Sequence, residues 1–434
     1  MNRNDRPIPL HLDPALLRGL TQRRLSRRDL LKYAGTGAGA LSLSAFLAAC
    51  GVSGTKTNPT TGASGTSASP TADLLKEIYG DGTPAGQLVF ANWEDYIDVD
   101  ENGKSPTLQQ FTKETNIKVT YKTDVNDNDP FLARIIPVLQ SGGDPGYDLI
   151  VITNGGPVER MIKLGFLWPL DHSYLPQFAA NASEAVTDPS YDPGNTYSVA
   201  WQSGFTVIGY NSDAIKEPPK GFADLLDPKY KGKVGMFGNN QDLPCAALVH
   251  LGFDIQTSTP DQWQQAADVL IKQRDEEIVR QYYDQSYIDA LENGDTIITQ
   301  AWSGDLFIAA APADFGGDGF PEIKASIPAE GGILWTDNMC IPKGAKHPVD
   351  AITMMNFVYD PHIAAQLADF IWYVSPVPAA KDIVLNEIDD PLVANSSLVF
   401  PSLDDLAAAH KYKVFKDQAE EDEWNSIFQP IYTS

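Results

Sequence analysis

In the stretch Gly331-Gly332-Ile333-Leu334-Trp335-Thr336-Asp337-Asn338-Met339 an acid follows a large ring by two residues, between a Gly-Gly pair and an apolar run that ends at Ile341-Pro342. On an extended backbone, side chains at i and i+2 share a face, so Trp335 and Asp337 would point the same way. An indole face and a carboxylate aimed into one space suit an organic cation. Cation–π attraction contributes about 0.5–2 kcal/mol, and the carboxylate supplies charge-assisted hydrogen bonds to a desolvated ammonium. The alternative is a core Trp beside a solvated turn Asp. Recurrence of the pairing favours the site: rings and acids also meet at Trp93-Glu94-Asp95-Tyr96 and at Trp302-Ser303-Gly304-Asp305, and a further acid closes the turn Asn239-Asn240-Gln241-Asp242.

These clusters need elements that end where they stand. Leu88–Phe90, Ile117–Tyr121 and Tyr147–Ile152 read as strands, with helices over Pro106–Glu114, Phe131–Gln140 and Val158–Lys163, although Pro137 is an awkward guest in the second helix. Tyr197–Asn211 is a long β-type segment suited to passing between two lobes. A second unit follows: strands at Lys233–Phe237 and Thr296–Ala301, with helices at Cys245–Leu251, Trp263–Gln273, Ser286–Leu291 and Leu306–Ala311. Helices over Val349–Tyr359 and Ile363–Phe370 come next, and the chain closes on an acidic tail. Strand–helix alternation predicts parallel α/β sheets, whose ligands gather at the carboxyl ends of the strands, where the four clusters fall.

Lys and Arg total 32 against 57 Asp and Glu, a net charge of −25; residues 1–50 carry 8 basic and 3 acidic residues, so the remainder is more acidic still. Such a surface argues against nucleic acid and would draw small cations. The six histidines are scattered without metal-ligand spacing, so no metal or cofactor is expected. A secreted hydrolase could use carboxylate pairs such as Glu94/Asp95 or Asp242/Asp305. Yet the chain carries no G-x-S-x-G and no H-E-x-x-H, so no enzyme is expected. Cys245 and Cys340 read as buried, with pairing left open.

The first fifty residues read as an address. A basic segment containing Ser26-Arg27-Arg28-Asp29-Leu30-Leu31-Lys32 precedes a Gly/Ala-rich apolar run that closes on Leu47-Ala48-Ala49-Cys50. This order is that of an export signal; the paired arginines resemble a twin-arginine (Tat) signal, and the ending resembles a bacterial lipobox with Cys50 as the lipidated residue. Residues 51–85, Ser/Thr/Gly-rich at first, are expected to form a disordered tether. Its first twenty residues have almost no apolar surface to offset ordering entropy, and as a coil they would span roughly 25 Å.

The body resembles the spermidine/putrescine-binding proteins, the receptors of polyamine ABC importers. The matching stretches include LVFANWEDYID (88–98), YDLIVIT (147–153), YSVAWQSGFTVIGYN (197–211), DPKYKGKVGMF (227–237), AWSGD (301–305) and GGILWTDNMCIPKGAKHP (331–348), in family order. The resemblance implies an α/β, two-lobe periplasmic-binding-protein fold (type II), each lobe a mostly parallel sheet flanked by helices, with hinge strands between. Lobe 1 would comprise 86–201 plus 337–381, and lobe 2 202–336 plus 382–434. Trp93, Glu94, Tyr96, Thr153, Asn239, Asp242, Trp302, Trp335, Asp337 and Tyr373 match ligand-binding positions. Two departures stand out. One carboxylate of the second-lobe pair has become Asn239, and a Ser-x-Tyr motif has become Thr153-Asn154-Gly155, losing an aromatic wall. The expected role is that of an extracytoplasmic lipoprotein, monomeric and held to the membrane by its lipid, which binds polyamines in an interlobe cleft and passes them to an ABC transporter permease. Within the same fold, the alternatives are other amino compounds, an anion or a metal.

Overall fold

The computed structural model describes residues 70–100, 102–313 and 316–433. The signal segment with Cys50, and the tether up to residue 69, lie outside them. Ten strands form one curled sheet: β1 Gln87–Trp93, β2 Lys118–Val125, β3 Leu149–Thr153, β4 Ser198–Asn211, β5 Val234–Phe237, β6 Val279–Tyr283, β7 Ile298–Trp302, β8 Ile323–Ser326, β9 Ile333–Cys340 and β10 His410–Lys411. Their order along the sheet is β2-β1-β3-β9-β4-β7-β5-β6, with β8 on β4 and β10 on β9.

That order contains two similar halves. In lobe 1, β2, β1 and β3 are parallel and β9 joins antiparallel to β3; in lobe 2, β6, β5 and β7 are parallel and β4 joins antiparallel to β7. Parallel neighbours require crossover connections, supplied by the helices Pro106–Thr115 and Asn128–Gln140 in lobe 1 and by Asp242–His250, Pro260–Asp275 and Tyr287–Glu292 in lobe 2. The apolar run LIVIT of β3 and all of β9 are buried on both faces, as a sheet covered by helices demands. The strands β4 and β9, paired antiparallel with each other, carry the chain between the lobes. At their junction Ala200 pairs Asn338 but Gln202 pairs Asp337, so Trp201 is an inserted bulge residue.

The sequence-based elements recur with shifted ends, and Pro137 lies in the last turn of its helix, where little helix follows it. Several elements have no counterpart in the sequence reading. Ala72–Tyr79 is a helix, so the tether expected over 51–85 stops by Thr71: Leu75 and Ile78 pack on the core, and the buried Tyr79 donates its hydroxyl to Pro169 O at 3.0 Å. The short strands β6, β8 and β10 are further such elements. The acidic tail is a helix, Gln418–Thr433, which buries Trp424, Phe428 and Ile431 at i, i+4 and i+7 against lobe 2. Cys245 and Cys340 are buried free thiols.

Gly204 on β4 stands opposite Trp335 on β9. A Cβ there would lie 2.3 Å from the indole Cζ2, so the ring occupies space that only glycine leaves open. Gly204→Ala is expected to cost about 1–3 kcal/mol through overpacking. The readout is a lowered urea midpoint with unchanged slope and an altered tryptophan emission; wild-type values for both would show that the indole does not lie against this strand.

Candidate functional site

Asp337 sits in mid-sheet, paired with Thr153 of β3 on one side and Gln202 of β4 on the other. Its Oδ1 accepts the Thr153 hydroxyl at 2.6 Å and its Oδ2 the Tyr96 hydroxyl at 2.9 Å. Asn128 braces Thr153 by a reciprocal pair of bonds, 2.9 and 3.1 Å, from the start of the helix Asn128–Gln140. The carboxyl is only 5% exposed, and burial pushes its pKa up to about 6 against the pull of the two hydroxyls.

Rings enclose this acid. Trp335, two residues away on the same face, contacts Trp302 edge to face at 6.5 Å and Tyr373 at 5.3 Å, and Tyr373 meets Tyr96 edge to face at 5.8 Å. Phe237 stacks under Trp302 at 4.7 Å. Tyr373 is fixed at both ends: its neighbour Val374 exchanges backbone bonds with Ser203 of β4, and its hydroxyl donates to Asp305 Oδ1 at 2.8 Å. Asp305 also accepts the Tyr287 hydroxyl at 2.8 Å, so this acid, noted in the sequence beside Trp302, orients two rings. Gly304 leaves room for the Tyr373 ring, 2.4 Å from where a Cβ would stand.

Asp242, the second site acid, opens the helix Asp242–His250 and is 2% exposed. Its Oδ1 accepts the hydroxyls of Thr206, at 2.5 Å, and Tyr412, at 2.6 Å; its Oδ2 accepts Asn239 Nδ2 at 3.0 Å and the Trp302 indole N–H at 3.4 Å. Burial raises its pKa too. The amide at Asn239 is used on both sides, since its Oδ1 also accepts the backbone N–H of Gln241 and Asp242. A carboxylate at 239 could not donate to Asp242 and would repel it. Among the described residues no Lys, Arg or His forms an ion pair with Asp337 or Asp242, and no group of three or more His, Cys, Asp and Glu side chains is placed to hold a metal.

Of the residues singled out in the sequence, Tyr96, Thr153, Trp302, Trp335, Asp337 and Tyr373 form one linked cluster, which Trp302 joins to Asp242 and Asn239. Trp93 ends β1 and Glu94 opens the turn that leads to Tyr96, the first half-buried and the second exposed, and neither bonds to the cluster. The sequence reading missed Thr206, Gln241 and Tyr412. Tyr412 arrives from the C-terminal segment after β10, and its ring lies against Gly155, 2.5 Å from where a Cβ would stand. The aromatic wall absent from Thr153-Asn154-Gly155 is thus filled by a residue 257 positions later in the chain. No local pattern could have shown it.

The lobes touch along this line. Gln241 donates across it to Asn154 O at 2.8 Å and Gly155 O at 3.1 Å, Arg160 pairs with Glu421 of the C-terminal helix, and Lys163 bonds Phe415 O. At the exposed Asp127, partial desolvation pushes the carboxyl up, and the charges of its neighbour Asp129 and of Asp284 on the opposite lobe add to it.

Residues 144–408 match the model of the bacterial extracellular solute-binding proteins. The spermidine/putrescine-binding periplasmic protein of Escherichia coli (strain K12) is 31% identical over 322 residues, 74% of this chain and 84% of that one. A putrescine-binding periplasmic protein of Pseudomonas aeruginosa (strain UCBPP-PA14) is 31% identical over 326 residues, 72% of this chain and 84% of its own length. The crystal structure of the spermidine/putrescine ABC transporter substrate-binding protein of Streptococcus pneumoniae superposes with a TM-score of 0.66 at 25% identity, covering 80% of this chain and 99% of that one. By sequence and by fold, this chain belongs to the bacterial extracellular solute-binding proteins, in the family of the spermidine/putrescine-binding periplasmic proteins.

Proposed function

We propose that this protein is the extracytoplasmic receptor of an ABC importer, binding putrescine- or spermidine-like polyamines between its lobes and delivering them to a permease. One observation carries the reading: Asp337, buried among Trp335, Tyr96 and Tyr373, has no basic partner among the described residues. An aliphatic ammonium supplies that partner, its methylene chain lies against the rings, and each N–H meets an acceptor. The names of the relatives support the same ligand class. Asp242 already accepts four neutral donors, so it serves as a fixed negative centre beside the Trp302 wall. Trp93 and Glu94 complete the reading at the edge of the cleft. An anion would face two buried acids here and no arginine, which disfavours that alternative. The acidic surface raises the local concentration of cations.

Export through a twin-arginine signal and lipidation at Cys50 belong to the same proposal and rest on the motifs at Arg27-Arg28 and Leu47–Cys50. On this reading Cys50→Ala releases the protein from the membrane fraction in its native host; membrane retention of the variant would refute the anchor.

Calorimetry of the body from residue 70 onward with putrescine and spermidine tests the ligand class, and absence of heat and of thermal stabilisation with every diamine and triamine would end the reading. The acid also sets a pH dependence. Ligand-free Asp337 holds its proton below about pH 6, and a bound ammonium lowers that pKa, so binding releases a proton there. Affinity is expected to fall about tenfold per pH unit below 6 and to level off above it. Asp337→Asn is expected to weaken binding about 30-fold or more and to flatten this profile; unchanged affinity would remove Asp337 from the site.

A further inference from the structure

Gln202 is 2% exposed, and its Oε1 is buried with no hydrogen-bond partner among the described residues. It stands directly opposite Asp337 in the β4–β9 ladder, and opposed residues of an antiparallel pair project from the same face of the sheet. The bulge at Trp201 creates this pairing: with Ala200 opposite Asn338, an unbroken ladder would have set Trp201 against Asp337. The inserted residue instead turns Trp201 into contact with Phe90 and Tyr96, at 5.7 and 6.5 Å, and brings the amide to the acid. The rung Thr153–Asp337–Gln202 therefore has a hydroxyl that donates to the acid on one side and an acceptor left without a donor on the other.

We propose that Gln202 contacts the ligand, as the second acceptor for the ammonium that Asp337 holds, and that this acid–amide pair selects primary amines over N-alkylated ones. The inference rests on the polyamine reading above and adds a residue to it. A primary ammonium carries three N–H donors. Asp337, already accepting from Thr153 and Tyr96, keeps room for further donors, and Gln202 takes another. A neutral amide suits this place, because a second carboxylate would repel Asp337 and favour its protonated form. Dimethylation removes two of the three donors, so the amide oxygen would stay unsatisfied in the complex.

The test is Gln202→Met, similar in length and without polar atoms. Putrescine affinity is expected to fall about tenfold or more, and the preference for putrescine over its N,N,N′,N′-tetramethyl analogue to shrink by a similar factor. The ligand-free protein is expected to keep or raise its thermal midpoint, since an unsatisfied buried oxygen has gone. A purely structural glutamine would behave in the opposite way, lowering the midpoint. Gln202→Glu gives an independent reading if the Met variant fails to fold: a carboxylate beside Asp337 moves the midpoint of the pH–affinity profile above 6. Wild-type binding with an unaffected Met variant, or a Glu variant with an unmoved profile, overturns the role of Gln202 alone. A wild type that binds no diamine overturns the polyamine reading and this inference with it.

Discussion

A carboxylate taken out of water without a cation beside it is the constraint on which this structure turns. Asp337 is enclosed by rings and neutral donors, and the hydroxyls of Thr153 and Tyr96 do not offset the loss of hydration, so burial pushes its pKa up to about 6. Asp242 is treated similarly, with four neutral donors and a raised pKa. A protein built for stability alone would pair such acids with arginine or replace them by apolar residues. Keeping them buried and unpaired makes physical sense when an ammonium from outside completes the charge.

The enclosure depends on the two strands that cross between the lobes. β4 contributes Gly204, whose missing side chain admits the Trp335 indole, Ser203, which ties down the segment carrying Tyr373, and Thr206, which binds Asp242. β9 contributes Trp335 and Asp337 on one face. The rings and acids of the candidate site and the residues that connect the lobes thus share the same two strands. A change in the relative placement of the lobes must alter the distances between rings and acids, which couples the arrangement of the site to that of the lobes.

The C-terminal segment extends that coupling. Its strand β10 pairs with β9, its Tyr412 reaches both Gly155 in lobe 1 and Asp242 in lobe 2, and its final helix packs on lobe 2 while Glu421 holds Arg160 of lobe 1. With Gln241 bonded to Asn154 and Gly155, these contacts clasp the two sides of the site. Asp127 feels the like charge of Asp284 across the same line, which opposes the clasp.

Much of this was legible from local pattern. Alternation and apolar runs located β1 to β5 and β7 together with the helices that connect them. The i, i+2 rule put Trp335 and Asp337 on one face, because the direction of a side chain along a strand depends only on the pleat. The final helix carried its i, i+4, i+7 signal in Trp424, Phe428 and Ile431, masked by acidic neighbours. Other features had no local trace. That Tyr412 fills the wall missing at Gly155, that Thr206 and Asn239 both serve Asp242, and that a bulge sets Gln202 rather than Trp201 beside Asp337 were decided only when distant strands paired. A single strand determines which of its own side chains face together; the neighbour each one meets follows from register and packing across the whole sheet, which no stretch of sequence contains by itself.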